Sequence, residues 1–407
     1  MHSLLRVILL VGVLSSLQFV AAAPSRIQKR SFKVERVRNP SFQGHDGPRQ
    51  LLKSLRKFRM GLPPGLLEFL NSEELEDLIQ EVVTAALEGK GKGRKGGAGG
   101  SGARNGTANG NTGGRNSTGT GIGKVTATPE RGDVEYLSPV RIGGQSMLVN
   151  FDSGSSDLWV FSTALPAAAQ QGHTPFDPDK SNTFRLLNDS TFFISYGDGS
   201  KAGGIVGTDT VEVGGATVTR QAVELATGVS RSFVEDTQNN GLLGLAFSEL
   251  NTVKPRKQKT FFDNVMPDLA EPVWTADLRK NAVGAYEFGR IDTSKFVGDL
   301  AWVPVNSSQG FWEFPSTSFA VGDAAPRQTD LRATAIVDTG TTLILASSAI
   351  VNGYFSLVEG AVNNQTVGGV TVPCAAQLPD LKLDVGGTLA TVKGSDINFA
   401  PIDGVSE

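Results

Sequence analysis

Two stretches of this 407-residue chain carry nearly the same pattern: LVNFDSGSSDLWV, from Leu148 to Val160, and ATAIVDTGTTLIL, from Ala333 to Leu345. In each, an apolar run ends in aspartate, a hydroxyl residue, glycine and a second hydroxyl residue, and another apolar run follows. Short apolar runs broken by a glycine turn read as strand, turn, strand. Gly154 and Gly340 sit where the turn is tightest and accept backbone geometry that other residues resist. One such tetrapeptide is an ordinary turn. Two in one chain, both between apolar runs, are a coincidence on the order of a few per cent at average composition. If the two turns face each other, Asp152 and Asp338 come within hydrogen-bond reach. Two like charges that close share one proton. The ionised partner takes a proton from water and the protonated one polarises a carbonyl, which is general acid–base hydrolysis without a covalent intermediate or a metal.

The residue inventory excludes the main alternatives. After Val125 there is one histidine, His173, and one cysteine, Cys374. A Ser-His-Asp or Cys-His site would need His173, which lies in a turn-like QGHTPFDP with no nucleophile motif, and reads as a solvated loop residue. A zinc site lacks ligands.

The net charge of −3 hides an asymmetry. From Pro24 to Lys124 there are 18 Lys/Arg against 9 Asp/Glu, a balance of +9; from Val125 to Glu407 there are 19 against 32, a balance of −13. The two regions attract each other until the acidic side protonates. The first residues, MHSLLRVILLVGVLSSLQFVAAAP, read as a secretory signal over 1–23: Arg6, an apolar run too short for a membrane anchor, and the small-residue site Ala21-Ala22-Ala23. Five Asn-x-Ser/Thr sequons, at Asn105, Asn116, Asn188, Asn306 and Asn364, fit that route.

A basic region over 24–124 follows, with the dibasic pair Lys29-Arg30 and the run LLKSLRKFRM. Leu75, Leu78, Ile79, Val82, Val83, Ala86 and Leu87 predict an amphipathic helix over Glu73 to Glu88, ended by Gly89. From Gly89 to Gly123 the composition is that of a Gly-rich linker, and its GxG patterns follow no strand and form no phosphate loop. From Val125 onward, short alternating runs separated by glycine turns predict an all-β protein, with a hairpin around Gly214-Gly215.

Segments in this last region, EYLSPVRIGGQ, FDSGSSDLWVF, FDPDKSNTF, ISYGDGS, NNGLLGLAFS, GAYEFGRID, GFWEFPSTSFAVG and AIVDTGTTLIL, resemble, in order, those of the pepsin family of aspartic endopeptidases, and within it the fungal penicillopepsin- and aspergillopepsin-like enzymes. The resemblance implies a bilobal, all-β acid-protease fold, with an N-terminal catalytic lobe over 125–298 and a C-terminal lobe over 299–407. It implies that Asp152 and Asp338 are the catalytic pair. Ser155 and Thr341 match the hydroxyls on the outer carboxylate oxygens, and Ser153 and Thr339 the residues that grip each other across the lobe interface. Tyr196 matches the aromatic of a flap, Trp159 the indole bonded to it, and Gly197 and Asp198 flap positions that meet substrate. An aspartate at position 198 implies tolerance of lysine before the scissile bond.

The same resemblance implies a secreted zymogen whose basic propeptide lies across the acidic cleft, with Lys53, Arg56, Lys57 and Arg59 as candidates for the blocking cation. It implies peptide or protein substrates, no cofactor or metal, no nucleic acid, no membrane attachment once the signal is removed, and a monomer. One departure stands out. The family carries a further part of the second lobe beyond Glu407, including the counterpart of Leu242-Leu243-Gly244 and a cysteine partner for Cys374, so the second lobe is expected to be incomplete. The rival reading is a catalytically inactive, secreted pepsin-like remnant that binds peptides or proteins.

Overall fold

A computed structural model describes residues 32–35, 47–57, 66, 124–125, 135–196, 200–280, 282, 284–364 and 367–400. The signal segment, the helix expected over 73–88, the Gly-rich linker and the flap residues Gly197 and Asp198 lie outside the described residues. The basic region contributes strand β1 (Phe32–Glu35), helix α1 (Gly47–Lys57) and strand β2 (Lys124–Val125).

The first of the two Asp-Gly turns sits in a seven-stranded sheet. Its strands are β3 (Leu137–Ile142), β4 (Gln145–Asp152), β5 (Leu158–Phe161), β6 (Arg185–Ser195), β7 (Lys201–Val213), β8 (Ala216–Val229) and β9 (Gly241–Gly244). Their order is β3-β4-β9-β5-β8-β7-β6. Gly214 and Gly215, at φ 55° and 101°, turn β7 directly into β8. Positive φ at both central residues is what a tight hairpin turn demands, and glycine meets it without strain.

Val149 and Phe151 of β4 are fully buried and join Val140, Leu158, Leu225, Leu243, Phe261 and Phe288 in the main core. Burying one such side chain stabilises by about 1.5–3 kcal/mol, so β4 is held firmly up to the residue that carries the first carboxylate. β9 is the keystone beneath it. It runs parallel to β4, with Asp152 opposite Gly244, and antiparallel to β5.

The remaining elements are smaller. Strands β10 (Trp274–Asp277) and β11 (Ala285–Phe288) form a four-stranded sheet with β1 and β2, in the order β10-β11-β1-β2. The basic region is thus woven into the β structure and β1 pairs antiparallel with β11. Strands β12 (Glu313–Pro315), β13 (Ser318–Val321), β14 (Arg327–Gln328) and β15 (Thr334–Ile336) follow. β15 delivers the second Asp-Gly turn, and among the described residues it pairs only with β12. A second, smaller core of Phe319, Val321, Tyr354, Val358 and Leu381 lies in this part of the chain. Nine of the twelve exposed large apolar side chains among the described residues follow Lys295, Trp302 and Leu331 among them. The chain is all-β with a few short helices, as the alternating pattern predicts.

Gly244 tests how tightly β9 supports the first turn. A Cβ there would lie 2.5 Å from Ser156 Cα and 2.6 Å from Ser155 O, both backbone atoms that cannot step aside. Gly244→Ala is expected to lower stability by about 1–3 kcal/mol through overpacking, read as a lower urea midpoint at unchanged slope.

Candidate active site

Asp152 is the last residue of β4, and Asp338 follows β15 by two residues. The turns after them meet face to face. Ser153 N donates to Thr339 Oγ1 at 3.0 Å, and Thr339 N donates to Ser153 Oγ at 2.9 Å. Each hydroxyl then donates to the strand end of the opposite turn: Ser153 Oγ to Val337 O at 2.9 Å, Thr339 Oγ1 to Phe151 O at 2.7 Å. The four bonds relate the two turns by an approximate two-fold. Each turn also serves its own carboxylate. Gly154 N and Ser155 Oγ donate to Asp152 at 2.9 and 2.6 Å, and Gly340 N and Thr341 Oγ1 donate to Asp338 at 3.0 and 2.5 Å.

The glycines are set by this close approach. A Cβ on Gly154 would lie 2.6 Å from Asp338 Cγ, and one on Gly340 would lie 2.6 Å from Asp152 Cγ. Each glycine therefore makes room for the carboxyl of the other turn.

Both carboxyls are buried, Asp152 at 1% and the Asp338 side chain at 5% exposure. Their proton affinities diverge. Burial and the facing Asp152 charge push Asp338 up to about 6. Burial acts on Asp152 in the same direction, but the Lys57 ammonium and hydrogen bonds from Asp338, Ser155 and Gly154 outweigh it and hold this carboxyl below its ordinary value. Below about pH 6 the pair carries one proton, and it resides on Asp338.

The cation between them is Lys57, the last residue of α1. Its Nζ lies 3.2 Å from Asp152 Oδ1 and 2.9 and 2.7 Å from Asp338 Oδ1 and Oδ2. Burial works against the ammonium, yet the two carboxylates more than offset it and its proton is held more firmly than that of an ordinary lysine. Helix α1 is seated by Leu52 and Leu55, which pack with Leu66, Leu51 and Leu345. Thr342 Oγ1 donates to Gln50 Oε1 at 3.1 Å. The helix thus docks on the segment just past Asp338. Of the other candidate cations, Lys53 is exposed at its own position, where its charge bears on Glu135 and Asp236. The Arg56 side chain and Arg59 lie outside the described residues.

Trp159 is fully buried, and its Nε1 donates to Tyr196 Oη at 2.7 Å. Phe233 meets both rings edge-on, with centroids 4.9 and 5.8 Å away. Tyr196 N donates to Ser200 O at 2.9 Å, closing the β6–β7 hairpin. Burial, then the nearby Asp152 and Asp157 charges, push the phenol well above its usual range, so it stays a neutral donor.

His173 departs from the solvated loop expected of it. It stacks on Phe161 at 3.8 Å, and its two ring nitrogens lie 3.1 Å from Asn239 O and Val234 O. Two carbonyls and an aromatic face hold it, none of them near it in sequence. It is far from the paired turns in role, and Cys374 is exposed.

Sequence reasoning did not single out Asp157, Glu224, Asn251 or Phe233, all of which touch the support of the Asp152 turn or of Tyr196. Asp157 was visible in DSGSSD as a second carboxylate, but nothing local distinguishes it from a turn residue. Glu224 lies in a strand where one charged residue reads as solvent-facing.

Comparison with known proteins agrees with this geometry. The family model for eukaryotic aspartyl proteases matches residues 135–406. An aspergillopepsin A-like aspartic endopeptidase of Aspergillus fumigatus is 44% identical over 388 residues, covering 94% of this chain and 84% of that relative. Aspergillopepsin-1 of Aspergillus flavus is 45% identical over 288 residues, 71% of this chain and 70% of the relative. Endothiapepsin of Cryphonectria parasitica is 42% identical over 377 residues, 92% of this chain and 79% of the relative. With two aspartates on facing Asp-Ser/Thr-Gly turns and a family match across most of its length, this chain belongs to the eukaryotic aspartyl proteases, the pepsin-like aspartic endopeptidases.

Proposed function

We propose that this chain is a secreted zymogen, and that Asp152 and Asp338 hydrolyse peptide bonds at acid pH with water activated between them. The observation that carries the reading is the pair itself: two buried carboxyls on symmetry-related turns whose proton affinities are driven apart. In the open cleft a water takes the place of Lys57 Nζ. Asp152 accepts a proton from this water as its oxygen attacks the peptide carbon, while the Asp338 proton passes to the carbonyl oxygen. The resulting gem-diol collapses when Asp152 returns its proton to the amide nitrogen. The C–N bond breaks, and a gem-diol hydroxyl reprotonates Asp338. Ser155, Thr341 and the amides of Gly154 and Gly340 hold each carboxyl in register. Tyr196, steadied by Trp159, covers the substrate, an extended peptide bound as a strand.

The contact of Lys57 with both carboxyls supports inhibition by the propeptide. The ammonium lowers the proton affinity of Asp152 and Asp338, so by linkage protons and Lys57 compete for the pair. As pH falls through about 6, Asp338 protonates and Lys57 loses one opposing charge. Asp152, held below its ordinary range, gives up the second only at lower pH. Release thus begins just below neutrality and completes in the acid range. The second lysine contact works in the same direction, because Lys53 favours the ionised forms of Glu135 and Asp236.

A reading as an inactive peptide-binding remnant has one observation in its favour. β15, which leads into Asp338, pairs among the described residues only with β12, whereas β4 lies between two partners. Activity at acid pH decides between the two.

Asp152→Asn and Asp338→Asn are each expected to reduce cleavage of acid-denatured haemoglobin at pH 4 by about 10²–10⁴-fold, the span of general acid–base contributions. A folded variant that cleaves at the unmodified rate removes its aspartate from the chemistry, and inactivity of the unmodified, acid-treated chain selects the remnant reading. Lys57→Gln removes the competing cation, so the unprocessed variant is expected to begin cleaving at a higher pH than the unmodified chain. Onset is followed by fluorogenic peptide hydrolysis from pH 7 downward; an unshifted onset assigns the block elsewhere.

A further inference from the structure

Directly behind the Asp152 turn lies a second pair of carboxyls that the chemistry above does not use. Asp157 ends the DSGSSD run. Glu224 sits in β8, in register with Trp159 of β5. Both are 1% exposed. Asp157 Oδ1 accepts from Thr252 N at 2.9 Å, Thr252 Oγ1 at 2.8 Å and Asn251 Nδ2 at 3.2 Å. Glu224 Oε1 accepts from the same Asn251 Nδ2 at 3.1 Å. The two carboxyls share the Asn251 donor and lie close enough to interact, and Asp157 Oδ2 and Glu224 Oε2 receive no donor among the described residues. No cation pairs with either among the described residues. The titratable groups that face the pair are Asp152 from β4 and Tyr196 from the β6–β7 hairpin, neither of which brings positive charge.

Ionised carboxyls only accept hydrogen bonds. Two of them side by side, buried, each with an unserved oxygen, are satisfied by a proton between them. We propose that Asp157 and Glu224 share one buried proton, carried by Glu224, and act as a positioning pair whose ionisation sets the upper pH limit of the active site. The pair is wired into the backbone of the site. Gly244 N donates to Asp157 O at 2.9 Å, Leu245 N to Asp152 O at 2.8 Å and Ala246 N to Ser155 O at 2.9 Å. Asn251 Nδ2, which touches both carboxyls, also donates to Ser156 O at 3.2 Å. Opposite Glu224, Trp159 holds Tyr196. Burial and then the Asp157 charge push Glu224 well above the ordinary carboxyl range, in line with the geometry.

The sign of the effect follows. In the unfolded chain Glu224 loses its proton near the ordinary glutamate value, about 4.3, while the folded chain keeps it. Below that value the pair contributes its full stability. Above it, each pH unit costs about tenfold in the folding constant until the folded group titrates. Once both carboxyls ionise, repulsion in a dry site forces the Asp152 turn and Trp159 apart. A site built this way is secure in acid and fails as pH rises.

The test uses the full chain and Glu224→Gln, in which an amide donates to Asp157 at every pH. Activity is read after incubation at increasing pH and return to pH 4, each protein scaled to its own acid maximum. The expected result is that the pH of half-inactivation moves up by about one unit or more in Glu224→Gln. A high-pH limb that stays in place, with the variant folded at pH 4, overturns the proposal. The activity readout rests on the assignment of Asp152 to catalysis, so a second readout stands apart from it. At pH 7 the infrared spectrum of the Glu135→Gln protein, which lacks the other carboxyl held up to about 8, should show the carbonyl band of a protonated carboxyl, lost when Glu224→Gln is added. Absence of that band overturns the proposal whether or not the variant folds. Inactive protein that shows the band separates failure of the catalytic assignment from failure of this one.

Discussion

Two carboxyls forced together away from water are the constraint on which the rest of this molecule depends. Left alone, the Asp152 and Asp338 charges would drive their turns apart. The structure holds them by reciprocal bonds between Ser153 and Thr339, which tie each turn to the strand end of the other. It makes room for them with Gly154 and Gly340, whose missing side chains admit the opposing carboxyl. The same closeness that costs electrostatic energy separates the two proton affinities, and that separation is what acid–base chemistry requires.

Carboxyl pairing recurs through the first half of the β structure. Asp152 faces Asp338, Asp157 meets Glu224, and Glu135, pushed up to about 8 by burial and by Asp236, forms a third pair. Each pair is at ease when it holds a proton and strained when it does not. That is an arrangement for acid. Two of the three pairs are met by lysines from helix α1: Lys57 lies on Asp152 and Asp338, and Lys53 acts on Glu135 and Asp236. The third, Asp157 with Glu224, meets no cation among the described residues. Lys57 and Lys53 of the basic region are therefore set against particular acidic pairs, beyond the opposite totals of the two regions.

The supports of the two turns differ. β4 lies between β3 and β9 in a seven-stranded sheet, with β9 parallel beneath Asp152, while β15 has a single partner among the described residues. Exposed apolar side chains gather in the same later part of the chain, Val337 and Ile344 flanking the second turn. The asymmetry matters because a carboxyl's environment is only as fixed as the backbone that carries it. Asp152 is held from below, from the side and by a second carboxyl pair, and Asp338 by its own turn, by Thr339 and by contact with α1.

The sequence by itself determined the all-β class, through period-two runs broken by glycine, and the hairpin at Gly214-Gly215, because positive φ at two successive positions is a local demand that local residues reveal. It also showed that Asp152 and Asp338 each head the same Asp-hydroxyl-Gly-hydroxyl pattern, because the chain writes it twice and each turn is read within five residues, while roles for Ser153, Ser155, Thr339 and Thr341 came from the resemblance to the pepsin family. Tertiary structure decided what depends on reach and shielding. Lys53, Arg56, Lys57 and Arg59 fall within seven positions, and only the docking of α1 on Leu345 and Thr342 puts Lys57 on the carboxyls. His173 looked solvated until Phe161 and two distant carbonyls enclosed it. Nothing in the sequence marked Glu224 until the fold laid it, with no cation among the described residues, beside Asp157. A side chain's proton affinity is set by the water it loses and the charges it meets, and the partners that remove the water come from parts of the chain no local reading connects.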